Sequence, residues 1–139
     1  MTAIALLATA CGGAGPSAVP GDTGSIINAL VRRGVTVRAA VSGESVCRDP
    51  GLAGNALHLF VTGPDGDRGR DVYLYVFRPR DHAGAGPSLD ACRDEYVEAT
   101  GATVDRVDVP PYTALGADWT PPLREAVDGA LREAAAGGR

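Results

Sequence analysis

Lysine is missing from this chain: all 13 basic residues are arginine, set against 17 carboxylates, for a formal net charge of −4. That balance leaves no basic stripe for a phosphate backbone and argues against a nucleic-acid partner. No run of roughly 18 apolar residues exists, so no membrane-spanning helix is expected. Aromatic residues are scarce at 5%, which leaves Ala, Val and Leu to fill the core. Histidine occurs twice, as His58 and His82, neither at ligand spacing from another histidine, so no closed zinc set and no cofactor are expected.

What remains is 139 residues with 45% hydrophobic content, enough for one domain with an ordinary core. The richness in Ala, Gly, Pro, Asp and Arg is that of a product of high-GC bacterial DNA. Residues Ala3 to Ala10 form a short uncharged apolar segment. Cys11 follows it, and then a Gly-, Pro-, Ser- and Ala-rich tract to about Gly24, of a composition that cannot bury enough side chain to order itself.

Leu7-Ala8-Thr9-Ala10-Cys11 resembles the signal of bacterial lipoproteins, in which small residues precede a cysteine. The resemblance implies that Cys11 receives a diacylglyceryl group, that residues 1–10 are removed and that the new amino terminus is acylated. Several acyl chains, at about 0.8 kcal/mol per buried CH₂, hold a protein stably where a single chain does not. The expected organisation is a signal segment over 1–10, a lipidated tether over 11–24 and one domain over 25–139, held at the extracytoplasmic face of the cell membrane. Only Met1 and Thr2 precede the apolar run, so translation is expected to start upstream.

The cysteines are Cys11, Cys47 and Cys92. With Cys11 lipidated, an even pair remains in an oxidising compartment, and a Cys47–Cys92 disulfide is expected.

Periodicity orders the domain as α-β-β-β-α-β-α. A helix is expected from Ser25 to Arg33, with Gly34 stopping it. Val35, Val37, Ala39 and Val41 alternate with smaller or polar residues and predict a strand with one covered face. A loop carrying Cys47 follows. Ala56 to Thr62 and Asp71 to Phe77 read as a hairpin with a long polar tip. After a Gly/Pro loop over Arg78 to Pro87, a helix capped by Ser88 is expected over Leu89 to Thr100, burying Leu89, Cys92, Tyr96 and Ala99. Thr103 to Val109 reads as the fourth strand, ended by Pro110 and Pro111. A last helix begins at Pro121, buries Leu123, Val127, Ala130 and Leu131, and frays from Ala134. The fold class is a two-layer α+β domain: a four-stranded antiparallel or mixed sheet with about three helices.

Candidate sites are few. Tyr73, Tyr75 and Phe77 line one face of a strand whose other face is Val72, Leu74 and Val76. With both faces apolar the strand reads as central, helices covering one side and loops or another element the other; left open instead, the aromatic face is the candidate ligand-binding surface, for a small molecule or a partner protein. Asp65, Asp67 and Asp71 alternate like calcium ligands but lack the glycine and the bidentate glutamate of such loops, so a polar turn is the simpler reading. Ser45 lacks the second glycine of a nucleophile elbow. Arg78, Arg80 and His82 read as a solvated loop or an anion contact, and Trp119 as a packing anchor. No catalytic residue and no metal ligand is assigned. The expected function is a non-catalytic binding module, with a small cell-envelope hydrolase or a structural envelope component as alternatives.

Overall fold

In a computed structural model, the chain is described over residues 22–66 and 68–137. Residues 1–10, expected to form a signal segment, lie outside the described residues, as do Cys11, most of the expected tether, and Asp67.

Helix α1 (Asp22–Arg32) turns Ile26, Ala29 and Leu30 inward and ends as its sequence dictates. Gly34 adopts φ 84°, the Val35 amide bonds the Leu30 carbonyl, and the Gly34 amide bonds the Val31 carbonyl. This is a Schellman closure, with Val35 and Leu30 buried together beside it. Already helical at Asp22, α1 takes in residues that composition assigned to the tether.

Five strands form one antiparallel sheet in the order β1-β2-β3-β5-β4. They are β1 (Thr36–Ser42), β2 (Ala56–Thr62), β3 (Arg70–Val76), β4 (Val104–Val109) and β5 (Tyr112–Ala117). The expected hairpin of β2 and β3 forms with Leu59 opposite Val72 and His58 opposite Tyr73.

The fifth strand is a correction. Pro110 and Pro111 do not end the sheet but form the two-residue tip of a β4–β5 hairpin, and β5 inserts between β3 and β4. Its residues Tyr112 to Gly116 are all buried, so the strand carries no polar alternation by which a sequence reading could find it.

Strand β1 departs from its expected alternation. Val37 faces Val61 and Ala39 faces Phe60, with Arg38 as an extra residue between them. This β-bulge reverses the sides of everything downstream. Ala39 and Val41 therefore do not join Val37 beneath α1; they stand on the opposite face, and Val41 is 48% exposed.

The sheet is covered on both faces rather than one, which corrects the two-layer expectation. On one face α1 and helix α5 (Pro121–Gly137) bury Leu59, Val61, Val72, Leu74, Val107 and Ala114. Helix α5 stays ordered past Ala134, which is buried, because α1 and the sheet hold that turn; Arg32 and Arg33 both pair with Glu133 beside it. On the other face, helix α4 (Gly86–Thr100) and the loop carrying Cys47 bury Tyr75, Phe77, Val104 and Leu115. Of the four residues expected inside α4, Leu89, Cys92 and Tyr96 are buried and Ala99 is exposed.

The expected loop over 78–87 contains two short helical pieces: a single turn of helix α3 (Pro79–His82) and a 3₁₀ turn (Ala83–Ala85) that runs into α4. Helix α4 consequently begins before Ser88, and no side chain caps it. The other single turn, α2 (Pro50–Ala53), is capped by the Asp49 carboxylate on the Gly51 amide. No described helix is long and apolar enough to cross a membrane.

Candidate functional site

Cys47 and Cys92 are joined by a disulfide, with their Cα atoms 5.3 Å apart. The bridge ties the loop after β1 to α4, over the middle of the sheet. Beneath it the Tyr75 hydroxyl lies 2.8 Å from Ser45 Oγ and 3.7 Å from Cys92 Sγ, and it accepts from the Val46 amide. Ser45 is thus a partner of a buried phenol, with no histidine at its oxygen. Burial pushes the Tyr75 phenol above its ordinary pKa, although the Ser45 and Val46 hydrogen bonds oppose the shift.

That cover decides the fate of the aromatic face. Tyr75 is 0% exposed and Phe77 6%, both under α4 and the disulfide loop. Tyr75 and Phe77 therefore belong to no open surface, and the reading of a central strand covered on both sides holds for them. Tyr73 alone of the three reaches the margin, where Tyr96 of α4 meets its ring edge-on at 6.0 Å.

Beyond that margin the face is open, and the open part is built around His58. Its ring stacks on Tyr73 with centroids 4.3 Å apart and planes 7° from parallel, as their pairing across β2 and β3 allows. His58 Nε2 lies 2.7 Å from Asp71 Oδ1, and Nδ1 lies 3.0 Å from Glu44 Oε2. Val41 sits opposite His58 on β1, and Phe60 is two residues along β2, with its ring over Gly69. Val41 and Phe60 are 48% and 39% exposed.

Both ring nitrogens facing carboxylates is an arrangement suited to an imidazolium, which has two N–H groups to donate. Burial lowers the His58 pKa, but the hydrogen bonds and charges of Glu44 and Asp71 outweigh it and hold it above 6.5. The neighbouring phenol is driven the same way: burial, then the Asp71 charge, push Tyr73 up to about 12.

The two carboxylates lie on opposite edges of the imidazole and do not converge on one point. Among the described residues no group of three or more His, Cys, Asp and Glu side chains is arranged to hold a metal ion. Asp71 is committed to His58 and Asp65 lies in an exposed turn, so these two do not form a shared oxygen cage.

His82 turns inward rather than toward Arg78 and Arg80. Its Nε2 donates to Thr113 Oγ1 at 3.1 Å, and Thr113 donates to Asp108 Oδ1 at 2.6 Å. Thr113 is 0% exposed, so this chain of hydrogen bonds satisfies a buried hydroxyl. Trp119 is the packing anchor its position suggests: its indole N–H donates to the Asp71 carbonyl at 3.0 Å, across Gly116.

In the sequence His58 reads as a strand residue with no support as a zinc ligand or catalytic base, and nothing singles out Glu44. The signal was present in the hairpin: pairing β2 with β3 in register puts His58 beside Tyr73 and Phe60 opposite Asp71. Glu44 could not be placed, because its approach depends on the bulge and on the turn at Gly43, where φ is 80°. The chain matches no protein-family model, no curated protein and no solved structure.

Proposed function

We propose that this chain is a lipid-anchored, extracytoplasmic binding module whose working surface is the uncovered part of the sheet around Val41, His58, Phe60 and Tyr73. The observation that carries the reading is the exposure of Val41 and Phe60 around a hydrogen-bonded His58, on the part of the face that α4 and the disulfide loop leave uncovered. A mixed surface of this kind, apolar side chains around fixed polar groups, suits a small molecule or a partner protein. A Cys47–Cys92 disulfide fits an oxidising compartment, as the lipoprotein-like segment ending at Cys11 requires. The two histidines give no support to hydrolysis: His58 bonds carboxylates, and His82 bonds a hydroxyl that solvent does not reach.

Two measurements test this reading. Mass spectrometry of the membrane fraction should find a mature chain beginning at an acylated Cys11. A photo-crosslinking amino acid at position 60 should give a discrete adduct in cells that Val41→Asp abolishes, while the same probe at Arg132, on the outer face of α5, should give none. An unacylated chain in the cytosol would remove the anchor. Equal labelling at both positions, or none at either, would remove the surface.

A further inference from the structure

We infer that Glu44, His58 and Asp71 form a pH-operated latch that pins the start of the disulfide loop to the open sheet face and releases Glu44 when the imidazole loses its proton. Both His58 nitrogens face carboxylate oxygens, at 2.7 Å and 3.0 Å. Two such contacts are satisfied together only by the doubly protonated ring. The neutral ring has a single N–H, and its other nitrogen turns a lone pair toward a carboxylate. One contact must then open.

The structure sets which one. Asp71 is held within β3, between the pairing of that strand with β2 and the indole bond to its carbonyl. Glu44 lies on a loop, directly after Gly43 in its left-handed conformation, and its side chain is 51% exposed. Glu44 is the arm that leaves. The release is confined to that arm, because Ser45 remains bonded to Tyr75 and Cys47 to Cys92, one and three residues on.

The groups facing His58 are few. Glu44 comes from the loop, Asp71 and Tyr73 from β3, and Val41 from β1, which brings no charge. Tyr96 of α4 lies behind Tyr73. The phenols stay neutral well above the imidazole range, since burial and the Asp71 charge raise both. His58 is therefore the group that titrates between the two carboxylates, and it does so above 6.5 because their charges outweigh its burial. Opening removes one positive charge from the surface and frees the Nδ1 edge to accept a hydrogen bond. It thus changes what the site can hold: a partner that donates to the ring, or a cationic one that meets Glu44 and Asp71, is favoured once the latch is open. That consequence for binding rests on the function proposed above; the motion does not.

The test is an NMR titration of the full chain, disulfide intact, from pH 5 to 9, with no ligand present. The amide signals of Gly43 to Val46 are expected to shift with the same midpoint as the His58 ring signals, above 6.5. In Glu44→Gln the ring midpoint falls and the loop shifts collapse. In His58→Gln the loop loses its titration, while unchanged α5 amides show that the fold persists. Loop amides that ignore the His58 midpoint, or that follow it as strongly in Glu44→Gln, would overturn the latch. The crosslinking at position 60 is read separately, so a failed latch and a failed binding surface are distinguishable.

Discussion

Replacing both bridging cysteines, Cys47→Ala with Cys92→Ala, isolates what the disulfide contributes. The residues are 45 apart in sequence, so the bridge closes a loop of about 46 residues containing β2, β3 and their hairpin tip. On the chain-entropy argument a loop of about that length costs the unfolded chain roughly 13 cal/mol/K, or about 4 kcal/mol at 25 °C. Against a typical total of roughly 5–15 kcal/mol, this is a large share. Trp119 is the sole tryptophan and is buried in the α1/α5 core rather than beside the disulfide, so its fluorescence follows global unfolding. Urea denaturation read at Trp119 should show about 4 kcal/mol lost in the double variant, with a steeper slope because the unfolded chain can expand further. Reduced wild-type chain should behave the same way. A loss below about 1 kcal/mol with unchanged slope would mean that the bridge does not restrain the unfolded chain, and the loop reasoning would fail.

Two further outcomes follow from packing and charge. A Cβ at Gly116 would lie 2.0 Å from the Trp119 indole nitrogen and 2.5 Å from the Asp71 carbonyl, so Gly116→Ala should cost about 1–3 kcal/mol and break the indole hydrogen bond, checked by urea midpoint and near-ultraviolet circular dichroism. His58 has a folded pKa above its unfolded value, so the folded state binds the proton more tightly. Its stabilisation is then fully present below about pH 6.5 and is lost as pH rises through the folded value. Wild-type stability relative to His58→Gln, compared by urea midpoints from pH 5 to 9, should shrink across that interval; a gap that widens with pH would reverse the sign.

Much of the fold was legible because its elements carry local signals. Gly34 and Gly101 end their helices in left-handed conformations, Pro121 opens the last helix, and the Cys47 loop and the inward Cys92 meet as their positions imply. What escaped depends on tertiary context. β5 is small, apolar and buried on both sides, so it shows no alternation. The bulge at Arg38 hides because Val35, Val37, Ala39 and Val41 alternate in sequence whether or not an extra residue is accommodated in the pairing. The aromatic strand was found, but which face the second helix would cover is set by the disulfide and by strand order. The His58 cluster brings together residues from a loop and two strands, so it appears only once register is known.

The extra residue at Arg38 reaches beyond the direction of two side chains. β1 is a border strand, the place where a stray chain could add itself by backbone pairing. There the irregular spacing of its peptide groups spoils the template, and the Arg38 guanidinium reaches back to Thr62 rather than outward. The same insertion that brings Val41 up beside His58 thus discourages sideways growth of the sheet, and a visitor is steered to approach from above the plane.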